Sequence, residues 1–149
     1  MSDQINHLTT HSPEETQTWA EQLAITLRPG SVLALHGNLG AGKTCLVQGL
    51  ARGLGVVEPV TSPTYTILHE YESSPPLVHV DAYRLSGEDE AEALGFLELL
   101  DGQRIIAVEW ADRIDDLLPD HVIDIWMEPG PAPDDRLIRW NIRSSPLCG

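Results

Sequence analysis

Apolar positions change their spacing several times along the chain, and each change marks an element. Ser12-Pro13-Glu14-Glu15 combines a capping side chain, a proline suited to the first helical position and a glutamate three residues after the cap. Trp19, Leu23 and Leu27 then recur every fourth residue, so a helix is predicted to about Leu27, stopped by Arg28-Pro29-Gly30. Ser31 to His36 is a short apolar run that reads as a buried strand. A glycine-rich turn follows, and Val47, Leu50, Ala51 and Leu54 restore helical spacing from Thr44 until Gly55 stops it.

Beyond the loop from Val60 to Tyr65, Thr66 to Tyr71 and Leu77 to Asp81 read as a hairpin joined by Ser73-Ser74-Pro75-Pro76. Glu88 to Leu94 is a short acidic helix, Arg104 to Glu109 a buried strand, and Ala111 to Leu118 a short helix ended by Pro119. His121 to Glu128 is a further strand, Gly130-Pro131-Ala132-Pro133 a turn, and Arg136 to Ile142 alternates like an edge strand. Strands alternating with helices predict an α/β fold. The expected architecture has three layers: a mostly parallel sheet with an antiparallel hairpin and edge strands, and helices on both faces. With no repeat, low-complexity tract or linker, residues 1–149 read as one domain, with 1–11 and 144–149 expected as disordered ends.

Charge narrows the classes of partner. Nine basic against 23 acidic side chains leave a net charge of −14, and the excess is uneven. Residues 1–69 carry 3 basic and 5 acidic groups, whereas residues 70–149 carry 6 and 18. An acidic half repels phosphate backbones, so direct DNA or RNA binding is not expected and any RNA role passes through a partner protein. No apolar run approaches the roughly 18 residues of a membrane span. The polar start Ser2-Asp3-Gln4 resembles neither a secretory signal nor a transit peptide, and a cytoplasmic location is expected. The two cysteines, Cys45 and Cys148, form no C-x-x-C pair, and the six histidines show no H-x-x-x-H spacing.

The glycine-rich turn carries the chemistry. Gly37-Asn38-Leu39-Gly40-Ala41-Gly42-Lys43-Thr44 matches G-x-x-x-x-G-K-[ST] without a gap, between a predicted strand and a predicted helix. Gly37, Gly40 and Gly42 let successive N–H groups wrap phosphates at the positive end of the following helix. Lys43, the single lysine of the chain, is placed to reach the β- and γ-phosphates, and Thr44 to offer its hydroxyl to Mg²⁺. Such a site also needs acids at neighbouring strand ends, and Asp81 and Glu109 each close an apolar strand. One could bind Mg²⁺ and the other orient the attacking water. Ser62-Pro63-Thr64-Tyr65 lies where nucleotide-hydrolysing proteins carry a γ-phosphate-sensing loop. The N-K-x-D element that reads guanine is absent, which favours ATP.

The phosphate loop, Thr61-Ser62-Pro63-Thr64-Tyr65, His79-Val80-Asp81-Ala82-Tyr83-Arg84-Leu85 and Val108-Glu109-Trp110 together closely resemble the TsaE (YjeE) family, over roughly residues 12–142. That resemblance implies a small P-loop ATPase supporting N6-threonylcarbamoyladenosine (t6A) formation in tRNA. Its expected partners are the TsaD and TsaB proteins, of which TsaD transfers the threonylcarbamoyl group, and contact with tRNA is only indirect. It implies ATP and Mg²⁺ as cofactors, Lys43 and Thr44 as phosphate and metal residues, Glu109 as the metal acid, and Asp81 as a second acid needed for hydrolysis. Trp110 is implied at the catalytic edge, and Ser12, Cys45 and Arg136 beside the nucleotide. Val80 and Cys45 depart from the family's common Phe and Thr. Two alternatives stay open: a small-molecule kinase, disfavoured because acid-rich residues 85–103 provide no basic lid, and a nucleotide-gated binding module with negligible turnover.

Overall fold

A computed structural model describes residues 6–37, 42–61 and 68–143 of the chain. The strands are β1 (Asn6–Thr10), β2 (Val32–His36), β3 (Leu68–Tyr71), β4 (Leu77–Asp81), β5 (Ile105–Glu109), β6 (Ile123–Pro129) and β7 (Arg136–Ile142). The helices are α1 (Pro13–Thr26), α2 (Lys43–Leu54), α3 (Glu88–Ala93) and α4 (Phe96–Leu99), with 3-10 segments at Ala82–Arg84 and Ala111–Leu117. One sheet orders the strands β1-β7-β6-β2-β5-β4-β3. Its four central strands, β6, β2, β5 and β4, run parallel, while β3 is antiparallel to β4 and β7 to β6.

Central strands that are buried on both faces read as continuous apolar runs rather than alternating ones. Along β2, Leu33 and Leu35 face α1 and α2, while Val32 and Ala34 face the opposite core around Ala91, Phe96 and Ile114. The expected three layers are thus present. The capping expected at Ser12 is formed, its Oγ accepting from the Glu15 N–H at 3.1 Å, and α2 ends at Gly55, whose φ of +88° places it in the left-handed region. No helix among the described residues is long and apolar enough to cross a membrane.

The structure departs from these expectations at several points. Residues 6–10, expected within a disordered end, form β1 and pair with Arg136–Trp140 of β7. Leu8 packs on the core, and the buried Thr10 and Thr16 hydroxyls hydrogen-bond at 2.6 Å, which ties the strand to α1. In consequence β7 is an inner strand and β1 takes the edge. Phe96–Leu99, unassigned from sequence, is the short helix α4, which buries Phe96. The segment Ala111–Leu117 winds as 3-10 helix with non-helical backbone at Ile114. The C-terminal residues 144–149 lie outside the described residues.

Helices α1 and α2 touch along small residues that hydrophobic periodicity does not reveal. A Cβ added at Gly49 would collide with the Gln17 carbonyl oxygen and lie 2.8 Å from the Ala20 Cβ; at Gly53 it would lie 2.6 Å from the Glu21 carbonyl oxygen. Both clashes involve backbone, which a side-chain rotation cannot relieve. At an ordinary helical site, Gly→Ala gains about 1 kcal/mol of helix propensity. Here overpacking should outweigh that gain, so Gly49→Ala is expected to lower stability by about 1–3 kcal/mol in denaturant unfolding. A rise in the unfolding midpoint would show that the helices are not held this closely.

Candidate functional site

The C-terminal ends of β2, β4 and β5 lie side by side, the place where open parallel sheets bind ligands. Register pairs Asp81 of β4 directly with Glu109 of β5, and Glu109 with Leu35 of β2. Side chains alternate along a strand, so Asp81 and Glu109 share the face of Leu35, Leu77 and Ala107, the face on which α2 packs. Lys43, the first residue of α2, is therefore brought to the same place as both acids.

Gly37 and Gly42 flank the turn with φ of +148° and +97°, conformations that favour glycine. Lys43 is 5 % exposed, and its Nζ donates to the Gly37 carbonyl oxygen at 2.7 Å and lies 4.0 Å from the centroid of the Trp110 ring. Burial pushes the ammonium below its ordinary pKa, while Glu109, Asp81 and Asp112 pull it back up. One cation thus faces a carbonyl, an aromatic face and three carboxylates in a partly dehydrated pocket.

Trp110 has φ of +58°, the one positive value outside glycine among the described residues, a strain of about 1–3 kcal/mol. The turn holds its ring over Lys43 and against Tyr83, with ring centroids 4.9 Å apart, and the Arg113 guanidinium covers Tyr83 from 5.3 Å. Asp81 Oδ1 accepts the Tyr83 N–H at 3.0 Å, which fixes the turn leaving β4. Glu109 is buried, and its Oε2 sits 2.5 Å from Nε2 of the fully buried His79.

The donor set suits a hard cation that keeps phosphate and water ligands: a hydroxyl at Thr44 and a carboxylate at Glu109. Among the described residues no group of three or more His, Cys, Asp or Glu could hold a metal through the protein alone.

On the other side of the first turn of α2, Gly42, Cys45 and Arg136 line a small cavity of about 50 Å³ with Pro13, Thr16, Met127 and Asp134. The Cys45 thiol donates to the Pro13 carbonyl at 3.3 Å, and burial pushes its pKa up. Arg136 donates to the Asp135 carbonyl at 2.8 Å and to that of Pro133 at 2.9 Å. Ser12 is next to Pro13 but spends its hydroxyl on capping α1. Asn38, Leu39, Gly40 and Ala41 lie outside the described residues, as do Ser62, Pro63, Thr64 and Tyr65. The approach to that second segment is anchored: Gln48 of α2 donates to the Val60 carbonyl at 3.0 Å. A larger cavity, about 740 Å³, lies at the opposite end of the central strands, beside Val32, Ile106 and Ile123 and between Leu27, Leu99, Pro119 and Ile142, away from these groups.

Sequence reading passed over a polar chain directly behind the loop. His36, which precedes Gly37, bonds Asp124 at 2.8 Å, and Arg143 donates to Asp124 at 2.7 Å and to Asp115 at 2.8 Å. Burial alone would raise the Asp124 carboxyl, but its bonds to Arg143 and His36 hold it below the ordinary carboxylate value. A depressed folded-state pKa contributes stability above the unfolded value of about 3.9, lost as pH falls through the folded one. Asp124→Asn should therefore lower thermal stability at neutral pH and flatten its decline in acid. Parallel acid limbs for the two proteins would refute this contribution.

These features define a class: an α/β protein in which a glycine-rich loop joins a central parallel strand to the helix packed upon it, facing two strand-end carboxylates. The family model of TsaE, the threonylcarbamoyl adenosine biosynthesis protein, matches residues 10–137, and the chain belongs to that family. It is 47 % identical over 117 residues to the Bacillus subtilis tRNA threonylcarbamoyladenosine biosynthesis protein TsaE, covering 78 % of this chain and 73 % of that one. The Treponema pallidum protein of the same name is 40 % identical over 114 residues, covering 76 % and 84 %. The crystal structure of Bacillus subtilis YdiB superposes with a TM-score of 0.81 at 35 % identity, covering 97 % of this chain and 89 % of the other.

Proposed function

We propose that the protein binds ATP with Mg²⁺ at the loop 37–44 and hydrolyses it slowly, supporting t6A formation in tRNA by acting on a complex of the TsaD–TsaB type. The observation that carries the ATP reading is the meeting of Lys43, Asp81, Glu109 and Trp110 at the strand ends beside α2. Family membership supports the t6A role. Lys43 would exchange the Gly37 carbonyl for phosphate oxygens, while the Trp110 ring keeps water from its other side. Thr44 and Glu109 would hold the magnesium ion. Held there, the ion would supply positive charge to offset the charge of the phosphates. Asp81 would orient the attacking water and receive its proton. The strongly acidic second half of the chain supports contact with tRNA through partner proteins alone.

A metal ligand and a water-orienting acid fail differently when neutralised. Glu109→Gln should raise the Mg²⁺ concentration needed for nucleotide binding. Asp81→Asn should bind Mg·ATP nearly as the wild type does and release phosphate slowly. Measuring Mg²⁺ titrations and phosphate release for both variants tests the division, and identical titrations would refute it. ATP consumed in proportion to a phosphorylated acceptor, without release of free phosphate, would instead identify a kinase.

A further inference from the structure

His79 is fully buried in a strand whose neighbours Leu77, Val78 and Val80 are apolar. Its Nδ1 has no hydrogen-bond partner among the described residues. An orphaned buried polar atom is destabilising, a cost that a leucine at this position would avoid. Pairing of β4 with β5 does not need the imidazole either, because backbone register already sets His79 opposite Ala107. The side chain instead reaches diagonally along β5 to Glu109, two residues nearer the site, at 2.5 Å. A carboxylate oxygen accepts, so in this contact Nε2–H is the donor.

We propose that His79 is the positioning residue of the metal carboxylate. By donating Nε2–H to Oε2, it fixes the rotation of the Glu109 side chain and leaves Oε1 for the magnesium ion. Partners of metal-ligating groups act in this way elsewhere, and removing one typically lowers metal affinity about 10–100-fold. The inference rests on Glu109 being the metal acid, and the test separates the two statements.

ADP binding is measured by calorimetry with Mg²⁺ and with a chelator, for the wild type, His79→Leu and His79→Gln. The ratio of the two affinities reports the metal contribution alone. In His79→Leu the Mg²⁺ concentration that half-saturates this gain should rise about 10–100-fold, with chelator-state ADP affinity unchanged. His79→Gln, whose amide can donate to Oε2, should recover much of the gain. A histidine holding only structure would lower both affinities together or neither, and either result overturns the proposal. If Glu109→Gln leaves the Mg²⁺ gain intact, the metal assignment fails first and the proposal with it. Should His79→Leu not fold, nitrogen-15 NMR of metal-free wild type decides independently. One histidine with its proton held on Nε2, released to a mixture of tautomers in Glu109→Gln, is the supporting result. An unchanged histidine spectrum in that variant overturns it.

Discussion

Lys43→Ala is expected to weaken ATP binding by roughly 10–150-fold while the protein stays folded. The loss follows from removing charge-assisted hydrogen bonds worth about 1.5–3 kcal/mol. Lys43 is the cation held against Gly37 and Trp110 where Asp81 and Glu109 converge, so its deletion also leaves these acids repelling the incoming phosphates. Position 43 opens α2 and lies outside the apolar cores, and alanine is a good helix former, so the fold has no cause to fail. Calorimetry with Lys43→Ala reads the affinity, and circular dichroism checks the fold. Unchanged ATP affinity in a folded variant would place the nucleotide elsewhere.

Much of this site was legible before any coordinates because its chemistry is local. The run from Gly37 to Thr44 is contiguous, and Asp81 and Glu109 stand out as acids closing apolar strands. That they meet was not legible, since it depends on β4 and β5 being neighbours in register although 23 residues separate the end of one from the start of the other. His79 was missed for the same reason: a histidine is given meaning by Glu109, which only the sheet brings beside it. Strand alternation did hold a clue, because residues 79 and 81 share a face and a polar residue there interrupts an otherwise apolar stretch.

The errors at the edge have a comparable origin. Asn6 to Thr10 has one large apolar side chain, Leu8, too little to announce a strand; its pairing is supplied by β7. Arg136 to Ile142 alternates as a strand with one wet face does, and such alternation cannot reveal whether another strand covers the edge. The close approach of α1 and α2 was invisible because Gly49 and Gly53 contribute nothing to hydrophobic periodicity.

The second large effect is expected in turnover. Isolated protein should hydrolyse ATP slowly, and a TsaD–TsaB type complex should stimulate it strongly. In P-loop nucleotide hydrolases one group supplied in trans is worth about 10³–10⁵ in rate, which sets the scale for the largest stimulation. The segment from Ser62 to Tyr65 is the expected coupling element. It follows a fixed point at Val60, and the chain re-enters the sheet at Leu68 of β3, paired with the strand that ends in Asp81. If ATP and ADP favour different arrangements of this segment, a partner that reads one arrangement must change nucleotide affinity by the same factor. Thr64→Ala should then reduce stimulation more than it reduces ATP binding. Vigorous turnover by the isolated chain, indifferent to the complex and to Thr64→Ala, would contradict the coupling.

The most direct test of the nucleotide site is a calorimetric titration of the wild-type protein with ATP and with GTP, each with Mg²⁺ and with a chelator. Binding of one ATP per chain, strengthened by Mg²⁺ and much weaker for GTP, is the expected result. No ATP binding, or binding indifferent to Mg²⁺, would contradict the assignment of Lys43, Thr44 and Glu109 to a Mg·ATP site.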